Sequence, residues 1–227
     1  VTDHLSDFLF VSEKSGLDNL KNEGISDSKI HFVGNLMIDS LAAFQKKAST
    51  LKTLKEFGLE GKDFVLMTMH RPKNVDSKGM LLKVLQIIET ISKYSKVIFP
   101  MHPRTEKSIE RFNLKERFNN IGNLIKSNPL GYLPFLNLMS HATTVITDSG
   151  GIQEETTFLG IPCLTLRNST ERPSTVTIGT NTIVPDLNVD MVKEQFQTIL
   201  QGSYKKGSIP ELWDGKSAER VAEIILN

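Results

Sequence analysis

Residues 147–155 read Thr147-Asp148-Ser149-Gly150-Gly151-Ile152-Gln153-Glu154-Glu155 and directly follow the apolar run Thr144-Val145-Ile146. The β-branched run predicts a buried strand. Asp148, Ser149, Gly150 and Gly151 read as a tight turn. Residues 152–159 read as a helix, closed by Gly160 and stopped by Pro162. A strand, a turn of small residues and a helix together turn free backbone N–H groups toward the carboxyl edge of a parallel sheet. Such a helix start attracts phosphate through its unpaired donors and the positive end of its dipole. The two glycines let a ligand come close to the backbone. Glu154 and Glu155, placed in the first helical turn, can accept hydrogen bonds from sugar hydroxyls. The same nine residues also suit a plain cap and turn, in which the acids serve only the dipole. Loops elsewhere in the chain favour the first reading.

Working outward, strand-like and helix-like segments alternate. Strands are expected at 8–11, 30–33, 64–69, 96–100, 123–126, 144–147, 162–166 and 181–184. Helices are expected at 15–23, 36–47, 78–92, 106–112, 132–142, 152–159, 189–200 and 218–226, with 46–56 a linker or an exposed helix. Pro134 suits the first turn of its helix. This alternation predicts an α/β fold, a doubly wound parallel sheet with right-handed crossovers and helices on both faces. Ligands of such sheets bind beyond the carboxyl ends of the strands. The Walker phosphate loop and the Gly-x-Gly-x-x-Gly fingerprint are absent.

Composition sets the class. The 227 residues are 39% hydrophobic and 23% charged, as in an ordinary globular protein of one or two domains. A net charge of +1 gives no electrostatic case for nucleic acid or an anionic membrane. No apolar run has the 18 or so residues of a membrane span, and no signal peptide opens the chain. The single Cys163 has no internal disulfide partner and lies in an apolar run, as a buried, inert thiol would. A reducing, cytoplasmic setting fits. The opening Val1-Thr2-Asp3 lacks Met and runs almost at once into a strand, so the chain reads as a fragment or a processed piece.

Residues after the predicted strands carry the chemistry. His70-Arg71-Pro72-Lys73-Asn74 follows one, His102-Pro103-Arg104-Thr105 the next, and Arg167 to Pro173 another. With the Ser149-Gly150-Gly151 turn, these loops bring cations and backbone donors to one edge, as a diphosphate requires. Arginine binds phosphate oxygens in pairs, and histidine donates or moves a proton near neutral pH. His70, just after a buried strand, is the better placed of the two loop histidines. His102 also reads as a loop cap, and Arg104 as a partner of Glu106 or Glu110. His4, His31 and His141 read as structural or surface residues, and Asn120 and Asn123 as turn residues. Phe135, at a helix start, suits plain core or stacking on a base.

Several segments together carry a resemblance. They are Thr2-Asp3-His4-Leu5-Ser6-Asp7, Val33-Gly34-Asn35 with Ile38-Asp39, His70-Arg71 with Asn74, Tyr132-Leu133-Pro134-Phe135, the 147–155 motif and Thr170-Glu171-Arg172-Pro173. In this order they resemble the non-hydrolysing UDP-N-acetylglucosamine 2-epimerases over nearly the whole chain. The resemblance implies a two-domain fold of the glycosyltransferase-B type with the nucleotide sugar between two Rossmann-like domains. Residues 1–50 would end the first domain, 51–215 would form the UDP-binding second domain, and 216–227 a closing helix packed toward the first. Ser149, Gly150 and Gly151 would take the diphosphate, Glu155 the ribose, and Phe135 the uracil. His70, as catalytic group, and Arg71 and Arg172 would approach the diphosphate or sugar.

The implied reaction is elimination of UDP to a glycal and re-addition on the other face. It inverts carbon 2 to give UDP-N-acetylmannosamine for surface polysaccharide, without metal or nicotinamide. A homodimer is implied, with UDP-N-acetylhexosamine as partner and no nucleic acid or membrane. The carboxylates that move the carbon 2 proton lie upstream of Val1 in the family, so little turnover is expected of this chain alone. The residues after His102 and the Lys73 position depart from the family pattern. Related readings are an epimerase of a UDP-diacetamido uronic acid, a hydrolysing epimerase, and a UDP-sugar transferase of the same architecture.

Overall fold

The computed structural model describes residues 1–226. Its strands are β1 (Leu9–Val11), β2 (Ile30–Phe32), β3 (Phe64–Thr68), β4 (Lys96–Pro100), β5 (Leu124–Ser127), β6 (Thr144–Thr147), β7 (Cys163–Thr165) and β8 (Asn181–Ile183). β1 and β2 form a small parallel pair. The other six form one parallel sheet in the order β5-β4-β3-β6-β7-β8.

Consecutive residues of the central strands serve opposite faces. Val65 and Met67 of β3, Val97 and Phe99 of β4, and Ile146 of β6 pack with the helices Lys78–Ile91 and Val189–Leu200. Phe64 and Leu66, Ile98 and Val145 pack the other way, with the helices Leu36–Ser49 and Tyr132–Met139. Burial on both faces explains why these strands read as unbroken apolar or β-branched runs. Each enclosed Leu, Ile or Phe contributes about 1.5–3 kcal/mol of transfer free energy. Cys163 is wholly buried, and burial pushes its thiol up to about 11, consistent with an inert side chain.

Three local results differ from the sequence reading. The helix after β6 is Gly150–Leu159, not 152–159. Ser149 is its N-cap residue, and the two glycines are its first turn. The 46–56 region splits. The Leu36–Ser49 helix runs through its first part, and a short Thr53–Glu56 helix follows. Four further short helices were not expected: Thr2–Leu5, Pro72–Val75, Lys115–Asn119 and Pro173–Thr177. Two of these begin with Pro, which is pre-set for a first helical position.

The C-terminal segment closes the molecule. Trp213 is buried, and its Nε1 donates to the Ser12 carbonyl at 2.8 Å. The helix Ser217–Leu226 starts against Asp39, whose carboxylate accepts the amides of Ser217 (3.1 Å) and Ala218 (2.7 Å). Arg220 Nη1 donates to the Val33 carbonyl at 3.1 Å. Beside it Gly34, at φ +90°, passes so close to Leu212 that a Cβ would sit 2.1 Å from the Leu212 carbonyl oxygen. The first fifty residues and the last twenty are thereby joined.

Candidate nucleotide site

β3 and β6 are neighbours, yet the chain leaves them in opposite directions across the sheet. Between their carboxyl ends lies the switch point where doubly wound sheets leave a crevice. A cavity of about 210 Å³ occupies it, lined by residues that include His70, His102, Phe135, Ser149 and Ile152. Three of the predicted site residues, His70, Phe135 and Ser149, are thus brought together around one opening.

The centre of the site is Asp148, which is completely buried at the end of β6. It accepts the backbone amides of His70 (3.1 Å) and Arg71 (2.8 Å) and the Asn74 side-chain amide (3.1 Å). The His70 ring closes the set, with Nδ1 3.0 Å from Asp148 Oδ1. Asn74 also donates to the Leu166 carbonyl beyond β7. One carboxylate therefore fixes the whole His70–Asn74 loop and ties it to two strand ends. Its hydrogen bond raises the His70 imidazole above the ordinary 6.5, against the effect of burial. Burial acts to raise Asp148 in turn, but the His70 hydrogen bond and the Arg71 amide hold it below 3.8.

The Gly150–Leu159 helix starts next to this group. Ser149 makes no side-chain capping bond, so the first amides of the helix keep their donors. The nearest neighbours of both glycines are the ends of flexible side chains, which can give way. A Cβ at Gly151 would lie 2.7 Å from the end of Met37, and one at Gly150 3.4 Å from Glu171 Oε1. Glu171 sits at the helix start with Arg167 (2.6 Å) and Arg71 (3.8 Å) on its carboxylate.

Because the helix begins at Gly150, Glu154 and Glu155 lie in its second turn and not its first. Both are buried. Glu154 is committed internally: Asn35 donates to its Oε1 at 2.8 Å, and Arg172 Nε lies 2.8 Å from the same oxygen. Burial keeps its carboxyl above the usual range, with Arg172 and Asn35 opposing. Arg172 is therefore anchored to Glu154 and is the N-cap residue of Pro173–Thr177. Glu155 stands beside Tyr132. Burial pushes its carboxyl up to about 7, the phenol lowers it in part, and Glu154 adds to the rise.

The loop histidines divide as their positions predict. His102 caps its helix, accepting the Arg104 amide on Nδ1 at 3.1 Å, while its ring stands 5.5 Å from that of His70. Arg104 pairs with Asp76 at 3.6 Å, and not with the expected Glu106 or Glu110. His31 packs against the stacked rings of Phe8 and Phe10, and His141 bonds the Asn137 carbonyl. The sequence reading missed Asp148, which it took for a turn residue. An acid placed directly after a β-branched, fully buried strand, with backbone donors in the neighbouring loop, was the signal.

The family model described as UDP-N-acetylglucosamine 2-epimerase matches residues 1–226. The chain belongs to the UDP-N-acetylglucosamine 2-epimerase family. The epimerase of Methanocaldococcus jannaschii is 37% identical over 99% of the chain, which spans 62% of that protein's length. The UDP-2,3-diacetamido-2,3-dideoxy-D-glucuronate 2-epimerase of Pseudomonas aeruginosa is 36% identical over 99% of the chain and 61% of its own length. A crystal structure of the M. jannaschii UDP-GlcNAc 2-epimerase, in complex with UDP-GlcNAc and UDP, superposes with a TM-score of 0.87 at 36% identity, covering 99% of the chain and 62% of its own. The expected fold class, a doubly wound α/β sheet of the kind these epimerases share, holds. Among the described residues no helix is long and apolar enough to cross a membrane.

Proposed function

We propose that this chain supplies the nucleotide half of an epimerase that converts UDP-N-acetylglucosamine to UDP-N-acetylmannosamine for surface polysaccharide. The observation that carries the reading is the cavity at the β3–β6 switch point, with His70 and the uncapped start of the Gly150–Leu159 helix on its rim. Free amides and an imidazole together suit a diphosphate. Family membership supports the same ligand.

In this reading the backbone of Ser149, Gly150 and Gly151 holds the diphosphate, and Phe135 lies along the uracil. Glu155 takes the ribose hydroxyls; a carboxyl near half-ionised at pH 7 both donates and accepts. Arg71 adds charge on the diphosphate side, and Arg172 reaches the sugar side from its anchor on Glu154. Elimination of UDP breaks the bond from carbon 1 to the diphosphate oxygen, which keeps the electron pair; the carbon 2 proton leaves to a base, and the electrons of that C–H bond form the carbon 1–carbon 2 double bond of the glycal. His70 stabilises the departing diphosphate charge, and re-addition of UDP at carbon 1, with a proton returned to the opposite face of carbon 2, gives the inverted carbon 2. No carboxylate of this chain is assigned to the carbon 2 proton. Residues 1–50 are read as the end of a first Rossmann-like unit, 51–215 as the UDP unit, and 216–227 as the closing helix. The working protein is read as a cytoplasmic homodimer.

Calorimetric titration of the chain with UDP tests the reading. Binding in the micromolar range or weaker, reduced at least tenfold by Glu155→Ala, is expected, and no binding at millimolar UDP would sink it. In a turnover assay of the complete enzyme that carries this chain, His70→Ala should lower kcat by about 10²–10³ and UDP affinity far less. Equal loss in both would remove the role given to His70. The Pseudomonas relative favours one alternative substrate, a UDP-diacetamido uronic acid, to be run in the same assay.

A further inference from the structure

Two histidines face each other across the cavity, and the fold imposes opposite proton placements on them. His102 Nδ1 accepts the Arg104 amide and so carries no proton. His70 Nδ1 points at a carboxylate that is entirely out of solvent, at 3.0 Å, and must donate. That carboxylate cannot turn away. Three further donors, two backbone amides and the Asn74 amide, hold it at 2.8–3.1 Å, and Asn74 is itself tied to the Leu166 carbonyl. Charge-assisted bonds of this kind are short and strongly directional.

We propose that Asp148 is a positioning residue for His70: it fixes the ring with Nδ1–H turned inward, so that Nε2 is the nitrogen presented to a diphosphate at the start of the Gly150–Leu159 helix. The diphosphate part rests on the function proposed above. Asp148 touches no ligand. It acts by orienting the imidazole and by opposing loss of its positive charge, the state in which Nε2 donates. The surrounding groups act against that charge: Arg71 on the same loop and Arg104 on the neighbouring helix both lower the His70 titration. Their own partners, Glu171 for Arg71 and Asp76 for Arg104, stand farther out. The His102 ring is the remaining titratable neighbour. Without Asp148, two cations and a second imidazole would face His70 with no carboxylate bonded to it.

The test is ¹⁵N NMR of the chain with labelled histidine, the five signals assigned by single His→Gln variants. In the wild type, His70 should titrate above 6.5 and keep its proton on Nδ1 when neutral. Asp148→Asn should lower that titration by about one unit or more and release the tautomer. A neutral His70 carrying its proton on Nε2 in the wild type would overturn the proposal, and this measurement needs no variant to fold. A folded Asp148→Asn chain with an unchanged His70 titration would overturn it equally. A purely packing role for Asp148 would alter stability while leaving the tautomer where it was. Adding UDP to a uniformly ¹⁵N-labelled sample of the same chain separates the two readings. Shifted amides at 149–151 support the task given to Nε2. Unmoved amides overturn the nucleotide reading and that task with it, while the His70–Asp148 coupling is judged by the titration alone.

Discussion

At the scale of single residues, burial and ionisation oppose one another at Glu155. Its carboxyl is pushed up to about 7 from 4.5. Between those values the unfolded chain has lost the proton and the folded chain has kept it, so stability falls as pH rises through that window and levels off above it. The full effect is on the order of 3 kcal/mol. Glu155→Gln should therefore melt higher than the wild type at pH 8 and close to it at pH 4, while binding UDP less well. A thermal melt series at both pH values checks the crossing, and a uniform offset would contradict it. His70 works in the same direction. Its raised imidazole contributes stability that is complete below 6.5 and lost as pH rises through the raised value. Asp148, depressed, contributes above 3.8 and loses that contribution as pH falls through its lowered value. The melting temperature should accordingly peak between pH 3.8 and 4.5, where Asp148 already contributes in full and Glu155 has not begun to cost stability, and decline toward pH 8.

At the scale of elements, the Asp39 carboxylate stands where a capping side chain would, at the start of Ser217–Leu226, although it belongs to a helix 178 positions earlier. Asp39→Ala should cost about 1 kcal/mol and speed amide exchange mainly in 217–226. Exchange accelerating equally in the central sheet would show that the helix is not separately capped. Strands were legible because both their faces are buried, so β3 and β4 have apolar centres and β6 is a β-branched run, and turn residues bound them. Helix starts were less so. Two glycines argue for a turn by intrinsic propensity, and nothing in their local pattern marks them as the first turn of the helix that they form. The Pro72 and Pro173 helices are a single turn or little more, too short for any periodicity to appear. Within the site, His70 and Ser149 could be read from position after a strand. The Asp148 contacts could not, since they join loops 74 to 78 residues apart, and sequence spacing carries no record of that pairing. The Glu154 contact was hidden for the same reason: its partner, Asn35, lies 119 positions away.

At the scale of the whole molecule, a layered core and a crossed pair of chain ends are coupled at one point. Gly34 holds a left-handed φ and touches the Leu212 backbone, and Leu212 itself sits at φ +60°. No rotamer relieves a Cβ that meets a carbonyl oxygen. Gly34→Ala should destabilise by about 3 kcal/mol or more, seen as a lower denaturant midpoint. A cost below about 0.5 kcal/mol, the usual size of a surface change, would mean that the crossing shifts freely. Truncating the central sheet gives the contrasting case. Leu66→Ala, wholly buried between β3's neighbours and the overlying helices, should cost about 2–5 kcal/mol while sparing the crossing itself.

The bond from Trp213 to the Ser12 carbonyl makes the molecule its own optical gauge. The chain has one tryptophan, and it is clamped where the two ends meet. Its emission reports solvent reaching that seam, without a label. Circular dichroism of the same sample follows the helices and the sheet. If the two signals fall together on heating, the seam and the sheet are one cooperative body. If emission shifts to the red first, the ends part while the layered core still stands, and the gap between the two curves measures how loosely the opening fifty residues are held.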